Sequence, residues 1–275
     1  YKRQGVRPLA LVTGASSGIG FEIAAQLSAR GYDIVGVGAS GRIGTLQSEL
    51  EKAADAATPV GTVVSVRADL STAEGVEHVW DQVESLGRHL DVAVLNAGKS
   101  LGGSFVDTDL EDELRMLDLN VTGQVRLAKH VVQTMARQRS GRILITASLS
   151  ALTPTPYESI YGPTRAFTYA FAQGLREEMK EYGVVVTALL PGATATGFHH
   201  TAGMDNTVFG SNEWKNDPSQ VARQGVEALF ADRDHVVGGN LATRRAALLN
   251  RVLPERVKAR RFAKDSRPTP LHGTH

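Results

Sequence analysis

The chain has 275 residues, 42% of them hydrophobic and 21% charged, with 28 Gly, 10 Pro and no Cys. That composition is globular, and it excludes collagen-like and disordered classes along with disulfides, thiolate metal sites and cysteine nucleophiles. Thirty Lys and Arg against 29 Asp and Glu leave a net charge of +1, which gives no electrostatic case for binding nucleic acid.

The charge is unevenly spread: residues 251–275 carry +5, from Arg251, Arg256, Lys258, Arg260, Arg261, Lys264 and Arg267 against Glu255 and Asp265, and the rest carries −4. No run reaches the roughly 18 apolar residues of an integral membrane segment, and Tyr1-Lys2-Arg3-Gln4-Gly5 does not read as a signal peptide. With no Cys, a reducing, cytoplasmic address is expected.

Short apolar runs at 9–13, 33–37, 62–66, 91–95, 142–146 and 184–190 predict strands buried on both faces. Helix-length segments near 19–30, 43–56, 72–87, 110–138 and 161–182 separate them. In the fourth, Leu114, Leu117, Val121, Val125, Ala128 and Val132 recur every three or four positions, the period of a helix. This alternation predicts an α/β fold, a doubly wound parallel sheet with right-handed crossovers, in a single domain over residues 1–250. Residues 251–275 read as a basic C-terminal extension: a helix over 244–253, a break at Pro254, further helical turns over 255–264 and a frayed end at 267–270. A solvated terminal helix is the plainer reading of this segment; a contact with a partner subunit or an anionic surface is the other.

The run Thr13-Gly14-Ala15-Ser16-Ser17-Gly18-Ile19-Gly20 follows the first strand and opens a helix. Glycines permit a tight turn and let a pyrophosphate approach the backbone, while the helix N-terminus presents free N–H groups and a positive dipole end. Strand, turn and helix in that order predict a dinucleotide site formed by Gly14, Ser16, Ser17, Gly18, Ile19 and Gly20. A site for NAD would carry a carboxylate about 20 residues further on, for the ribose 2′-OH. The second strand ends instead in Gly38-Ala39-Ser40-Gly41-Arg42, where Ser40 and Arg42 could hold a 2′-phosphate. NADP (NADPH) is therefore the expected cofactor and NAD the less favoured one, unless Arg42 is simply a solvated first-turn arginine.

Four further features follow in order: Leu95-Asn96-Ala97-Gly98 after the fourth strand, Asn120 in the long helix, Ser148 after the fifth strand, and Tyr161 thirteen positions beyond Ser148. With the glycine turn, they resemble the short-chain dehydrogenase/reductase family in its compact form, T-G-x-x-x-G-x-G, over about residues 8–240. The resemblance implies a Rossmann-type sheet and a set of roles. Ser148 would hold the substrate oxygen, Tyr161 would protonate it as hydride arrives from the nicotinamide, and Asn120 would anchor a water in the proton relay. Asp69 and Leu70 would lie near the adenine, and Asn96, Ala97 and Gly98 on the adenosine side. Pro191, Gly192, Thr194 and Thr196, in a segment resembling P-G-x-x-x-T, would hold the carboxamide end. A homodimer or homotetramer is implied by the resemblance alone.

The sequence departs from the family at Y-x-x-x-K, reading Tyr161-Gly162-Pro163-Thr164-Arg165. Residues four apart on a helix share a face, so Arg165 stands in the lysine's place. A phenol with a reference pKa of about 10 mediates protons poorly at neutrality unless a cation lowers it. Guanidinium keeps the charge and could still bind ribose hydroxyls, but it does not deprotonate and aims its donors differently. Impaired or retuned catalysis with retained cofactor binding is expected.

Phe198, His199, His200, Met204, Phe209 and Trp214 read either as a lid over an apolar pocket or as plain packing. Leu149, Leu152, Pro154, Pro156 and Tyr157 would form the opposite wall. The adjacent histidines lack a third ligand, so no metal site is expected, and Lys99 reads as a solvated loop residue. The function these residues favour is NADP(H)-dependent oxidoreduction of a small-molecule carbonyl or alcohol, a hydrophobic ketone, aldehyde or secondary alcohol. The alternative, kept open by Arg165, is a catalytically impaired nucleotide-binding sensor or scaffold of the same fold.

Overall fold

A computed structural model describes residues 6–54 and 59–268. Seven parallel strands form one sheet in the order β3-β2-β1-β4-β5-β6-β7. They are β1 (Leu9–Thr13), β2 (Asp33–Gly38), β3 (Val63–Arg67), β4 (Leu90–Leu95), β5 (Gly141–Thr146), β6 (Val184–Pro191) and β7 (His235–Gly238). The first six lie where the apolar runs predict them, each end within one residue. β1 and β2 are buried at every position, which is why their sequences show no apolar-polar alternation. β7 escapes the sequence reading because it is an edge strand of four residues, only half-buried over most of its length.

The helices are α1 (Gly18–Ala29), α2 (Leu46–Ala53), α3 (Ala73–Ser85), α4 (Leu110–Leu117), α5 (Gln124–Gln138), α6 (Tyr161–Met179), α7 (Phe198–Thr201), α8 (Pro218–Phe230), α9 (Leu241–Val252) and α10 (Glu255–Ser266). Ile23 and Leu27 of α1, Leu50 of α2 and Val226 and Leu229 of α8 pack with Ala10 and Val12 on one face of the sheet. Val79 and Trp80 of α3, Leu127 and Val131 of α5 and Ala172 of α6 pack with Leu9 and Leu11 on the other. Each fully buried leucine contributes roughly 1.5–3 kcal/mol. Among the described residues no helix is long and apolar enough to cross a membrane.

Two departures from the expected pattern bear on function. The single helix predicted over 110–138 is interrupted by a π-helical turn, Asp118–Gly123, whose wider loop turns Asn120 into the protein, fully buried. The predicted basic helix after Pro254 is real, but Lys258 and Ser266 on α10 are buried against the body. The end of the second predicted helix, at 55–56, and Thr269-Pro270 of the predicted frayed end lie outside the described residues.

Because β1 neighbours both β2 and β4, the chain leaves the centre of the sheet in opposite directions and opens a crevice at the carboxyl ends of the strands. The loops that follow β1, β2, β3, β4, β5 and β6 all converge there.

Candidate active site

A cleft of about 740 Å³ follows these strand ends. Every candidate catalytic or cofactor-binding residue named from the sequence lines it except Ser40 and Asn120. Ser40 is exposed and precedes a short 3-10 turn, Gly41–Thr45, where its carbonyl accepts the N–H of Ile43. This turn carries Arg42 to the cleft.

At the glycine end, Ser17 precedes α1 in an extended conformation and makes no side-chain cap, so the first-turn N–H groups stay available. Gly14 has φ +68°, and a Cβ on Gly20 would stand 2.1 Å from the Gly14 carbonyl oxygen, so neither position accepts a side chain without strain. The Thr13 hydroxyl accepts the N–H groups of Asn96 (2.9 Å) and Ala97 (3.0 Å) and donates to Val94 O (3.2 Å). Asn96 Nδ2 donates to Thr13 O at 3.1 Å and braces the turn from the β4 side. Asp69 accepts from Ser71 N–H and Oγ in a local turn after β3. A glycine turn open to close approach, uncapped helix donors, and Arg42 beyond the carboxyl end of β2, where residues 38–42 carry no carboxylate, fit a dinucleotide with its phosphates on α1.

At the other end, Tyr161 opens α6 and is 8% exposed. Its ring lies between Phe198, at 5.6 Å between centroids, and the Arg165 guanidinium, 5.1 Å from the ring centre. Ser148 follows β5, and its Oγ accepts the N–H of Ser150 at 3.1 Å. Burial pushes the Tyr161 phenol up; Arg165 and the hydrogen bond from Ser148 pull it down without overcoming that burial, and Glu158 adds to the rise. The cation in the lysine's place therefore opposes the burial of the phenol without reversing it.

Arg165 is 3% exposed, and its room comes from Gly98, where a Cβ would lie 2.1 Å from Nη2. Nη1 donates to Thr146 O at 3.2 Å and Nη2 reaches Asn120 Oδ1 at 3.5 Å, while Nε finds no partner among the described residues. Asn120 is otherwise occupied as well: Oδ1 accepts Lys99 N–H at 3.0 Å, and Nδ2 donates to Lys99 O at 2.8 Å and Thr164 Oγ1 at 3.1 Å.

Several site residues are absent from the sequence reading. Glu158, one turn before Tyr161, is a buried carboxyl in the cleft wall whose pKa burial pushes up to about 7. Asn216 joins the loop after β6 to the start of α9 through Ala193 O, Thr243 Oγ1 and Asn240 N–H. α10 and the residue after it close the end of the cleft away from the glycine turn: Lys258 Nζ donates to Leu152 O, Ser266 Oγ to Pro156 O and Arg267 Nε to the Tyr157 hydroxyl. These partners lie 106 or 110 positions away, so no local pattern announces them. The signal that could have found α8 is local, since Asp217 caps it and Pro218 follows at its first position.

The expected opposite wall is only partly present. Leu149 lines the cleft, but Leu152, Pro154, Pro156 and Tyr157 do not, because they lie under α10 or beside it. The expected lid aromatics form a stack instead of a free loop: His199 lies flat on Phe209, at 5.4 Å and 7°, and Phe209 meets Phe262 of α10 at 5.6 Å. Burial pulls His199 down to about 4, so its ring is neutral at physiological pH. His200 turns outward to Asp205.

Residues 8–207 match the family model described as short chain dehydrogenase. An oxidoreductase of Staphylococcus epidermidis is 34% identical over 221 residues, covering 80% of this chain and 90% of that protein. Dehydrogenase/reductase SDR family member 7B of Xenopus tropicalis is 28% identical over 270 residues, covering 93% of this chain and 87% of its own. Among solved structures, a short-chain dehydrogenase from Sphingobium yanoikuyae in complex with NADPH superposes with a TM-score of 0.77 at 29% identity, over 88% of this chain and 91% of that one. A bulky-bulky ketone specific alcohol dehydrogenase from Comamonas testosteroni gives a TM-score of 0.74 at 26% identity, over 97% of both chains. The sheet order, the glycine cradle and the Ser148–Tyr161 pair thus stand in a chain that belongs to the short-chain dehydrogenase/reductase family and is an oxidoreductase.

Proposed function

We propose that the chain is an NADP(H)-dependent carbonyl reductase or alcohol dehydrogenase acting on hydrophobic ketones, aldehydes or secondary alcohols. The observation that carries this reading is the convergence of Ser148, Tyr161 and Arg165 at one end of a cleft whose other end is the glycine turn between β1 and α1. Bound nicotinamide dinucleotide supplies the hydride. The protein's own part is to orient the carbonyl and stabilise the oxygen that gains charge. Ser148 Oγ–H holds that oxygen, and Tyr161 Oη–H delivers the proton in reduction and takes it back in oxidation. Arg165 stabilises the phenolate between the two, and Asn120 holds Arg165 through Oδ1 and the 99–100 segment through both backbone groups of Lys99.

The preference for NADP(H) is supported by Arg42 in the cleft lining and by the NADPH complex of the Sphingobium relative. Apolar side chains of Leu149, Phe198, Phe209 and Phe262 support a hydrophobic substrate, as does the likeness to a bulky-ketone enzyme over nearly the whole chain. A homodimer or homotetramer belongs to the same proposal, on family resemblance. One observation favours the second reading, a nucleotide-binding protein with weakened catalysis: the guanidinium of Arg165 leaves Nε unpaired where an ammonium would have no such donor.

Titrating the protein with NADPH and NADH by nicotinamide fluorescence, then measuring turnover on a carbonyl panel, separates the two. Turnover with tighter NADPH binding supports the reductase; binding without turnover supports the second reading. Arg165→Lys is expected to raise turnover severalfold, and an unchanged or lower rate shows that the arginine does not limit the chemistry.

A further inference from the structure

Glu158 is 4% exposed, yet it lines the cleft beside the proposed proton donor. Its carbonyl accepts the N–H of Gly162 at 3.2 Å, so it forms the first turn leading into α6, and residues three apart on such a turn share a face. Both residues line the cleft, and the Glu158 carboxyl is near enough to act on the Tyr161 phenol. Among the described residues the carboxyl has one hydrogen bond, from Ser100 Oγ to Oε1 at 2.6 Å, and no ion pair. A carboxyl group can make about four such contacts, so most of this capacity is not used by the protein.

Of the other charged groups lining this end, which include Arg261 and Asp265 of α10, two are already engaged within the protein. Lys258 Nζ is held by Leu152 O, Asn250 O and Glu255, and Arg165 is turned to Thr146 O and Asn120. Leu149 and Phe198 add apolar surface to the same cleft lining. Burial, opposed by Ser100 and Arg165, leaves the carboxyl divided between its acid and its anion near neutrality, so it can donate to a carbonyl or accept from a hydroxyl.

We propose that Glu158 is a specificity-determining residue that binds a second oxygen on the substrate, so that the chain prefers carbonyl compounds with an adjacent hydroxyl or second carbonyl over plain ketones of the same size. Ser100 is the positioning residue that orients the carboxyl. The proposal rests on the carbonyl-reductase reading above and refines its substrate class.

The test compares NADPH-dependent turnover of cyclohexanone, 2-hydroxycyclohexanone and 1,2-cyclohexanedione by the wild type, Glu158→Leu, Glu158→Gln and Ser100→Ala. The readout is the ratio of kcat/KM between each oxygenated ketone and cyclohexanone. In the wild type this ratio is expected to reach about tenfold or more, the effect of one hydrogen bond to an ionisable group. It should collapse toward one in Glu158→Leu, persist in Glu158→Gln, whose amide still donates and accepts, and fall partway in Ser100→Ala. A wild-type ratio near one, or a ratio unchanged in Glu158→Leu, overturns the proposal, as does an equal loss on all three ketones.

If the wild type reduces none of the three, the reductase reading fails by itself. Ligand-induced melting shifts of the NADP⁺-loaded protein with 1,2-cyclohexanediol and cyclohexanol then decide this proposal separately. A diol preference lost in Glu158→Leu and kept in Glu158→Gln supports it; no diol preference in the wild type overturns it.

Discussion

At the dinucleotide end of the cleft the walls are mostly backbone. Gly14, Gly18 and Gly20 stand within one turn, the donors are uncapped N–H groups of α1, and the brace comes from Thr13 and Asn96 at the ends of adjacent strands. At the substrate end the walls are side chains drawn from distant segments: Phe198 and Phe209 from the loop after β6, Glu158 from the turn before α6, and Phe262 from α10. The first end is determined by a short run of sequence and a strand. The second exists only after the chain has closed on itself, so it can change its ligand without changing the sheet.

The largest expected effect tests where the chemistry lies. Tyr161→Phe should lower turnover about 10²- to 10⁴-fold, the usual loss for a positioned acid, while NADPH binding falls far less. Stopped-flow reduction and fluorescence titration on the same preparation check this, and parallel losses would assign Tyr161 to cofactor binding instead.

The next concerns stability at the substrate end. The pKa of Glu158 is raised to about 7 in the folded protein against 4.5 when exposed, so the folded state holds the proton more tightly. The stabilisation this confers is full below the unfolded value and is lost as pH rises through the folded one, a fall of about 3 kcal/mol in all. His199, held down to about 4 against 6.5, acts in the opposite sense: its contribution is full above 6.5 and is lost as pH falls toward 4. The two oppose each other in the overlap, and above it Glu158 acts alone. Urea unfolding of the wild type and Glu158→Gln at pH 5 and pH 8 should show the wild type losing stability relative to the variant at the higher pH. A constant difference would place the carboxyl in a better-solvated site.

A smaller change separates the two ends directly. Phe262→Ala removes the α10 partner of Phe209 and should raise KM for an apolar ketone about 3- to 10-fold, as expected for one aromatic pair, with NADPH affinity unaltered. A change in NADPH affinity instead would show the ends to be coupled. The smallest effect is expected from exposed Arg42: Arg42→Ala should weaken NADPH roughly threefold and leave NADH unaffected, since an exposed ion pair is screened.

How legible each region is in the sequence follows from the range of the contacts that make it. Five strands could be read because each is a run of residues largely buried on both faces, and β3, an edge strand with Ser65 and Arg67 exposed, because of its three valines, whereas β7 offers little more than Val236 and Val237 at an edge. The glycine turn, Ser148 and Tyr161 could be read from spacing, because strand ends and a helix start set their positions. The π-turn at Asn120 could not, since the apolar stripe runs through it with three- and four-residue steps that an α-helix would also show. Glu158 looks like any surface glutamate until Ser100 and the cleft close around it.

The basic segment at the end of the chain shows the division most clearly. Its charge of +5 and its helix-forming residues are properties of the sequence, and they alone suggest a solvated arm. Tertiary structure decides otherwise for the residues that matter, because Lys258, Ser266 and Arg267 find partners on the segment between Ser148 and Tyr161. A buried ammonium or hydroxyl needs a hydrogen-bond partner, and which carbonyl serves depends on how β6, β7 and α9 deliver the chain back over the cleft. Local periodicity and spacing determined the sheet, the glycine turn and the place of Tyr161, the proposed proton donor. The substrate wall was decided by contacts spanning more than a hundred residues.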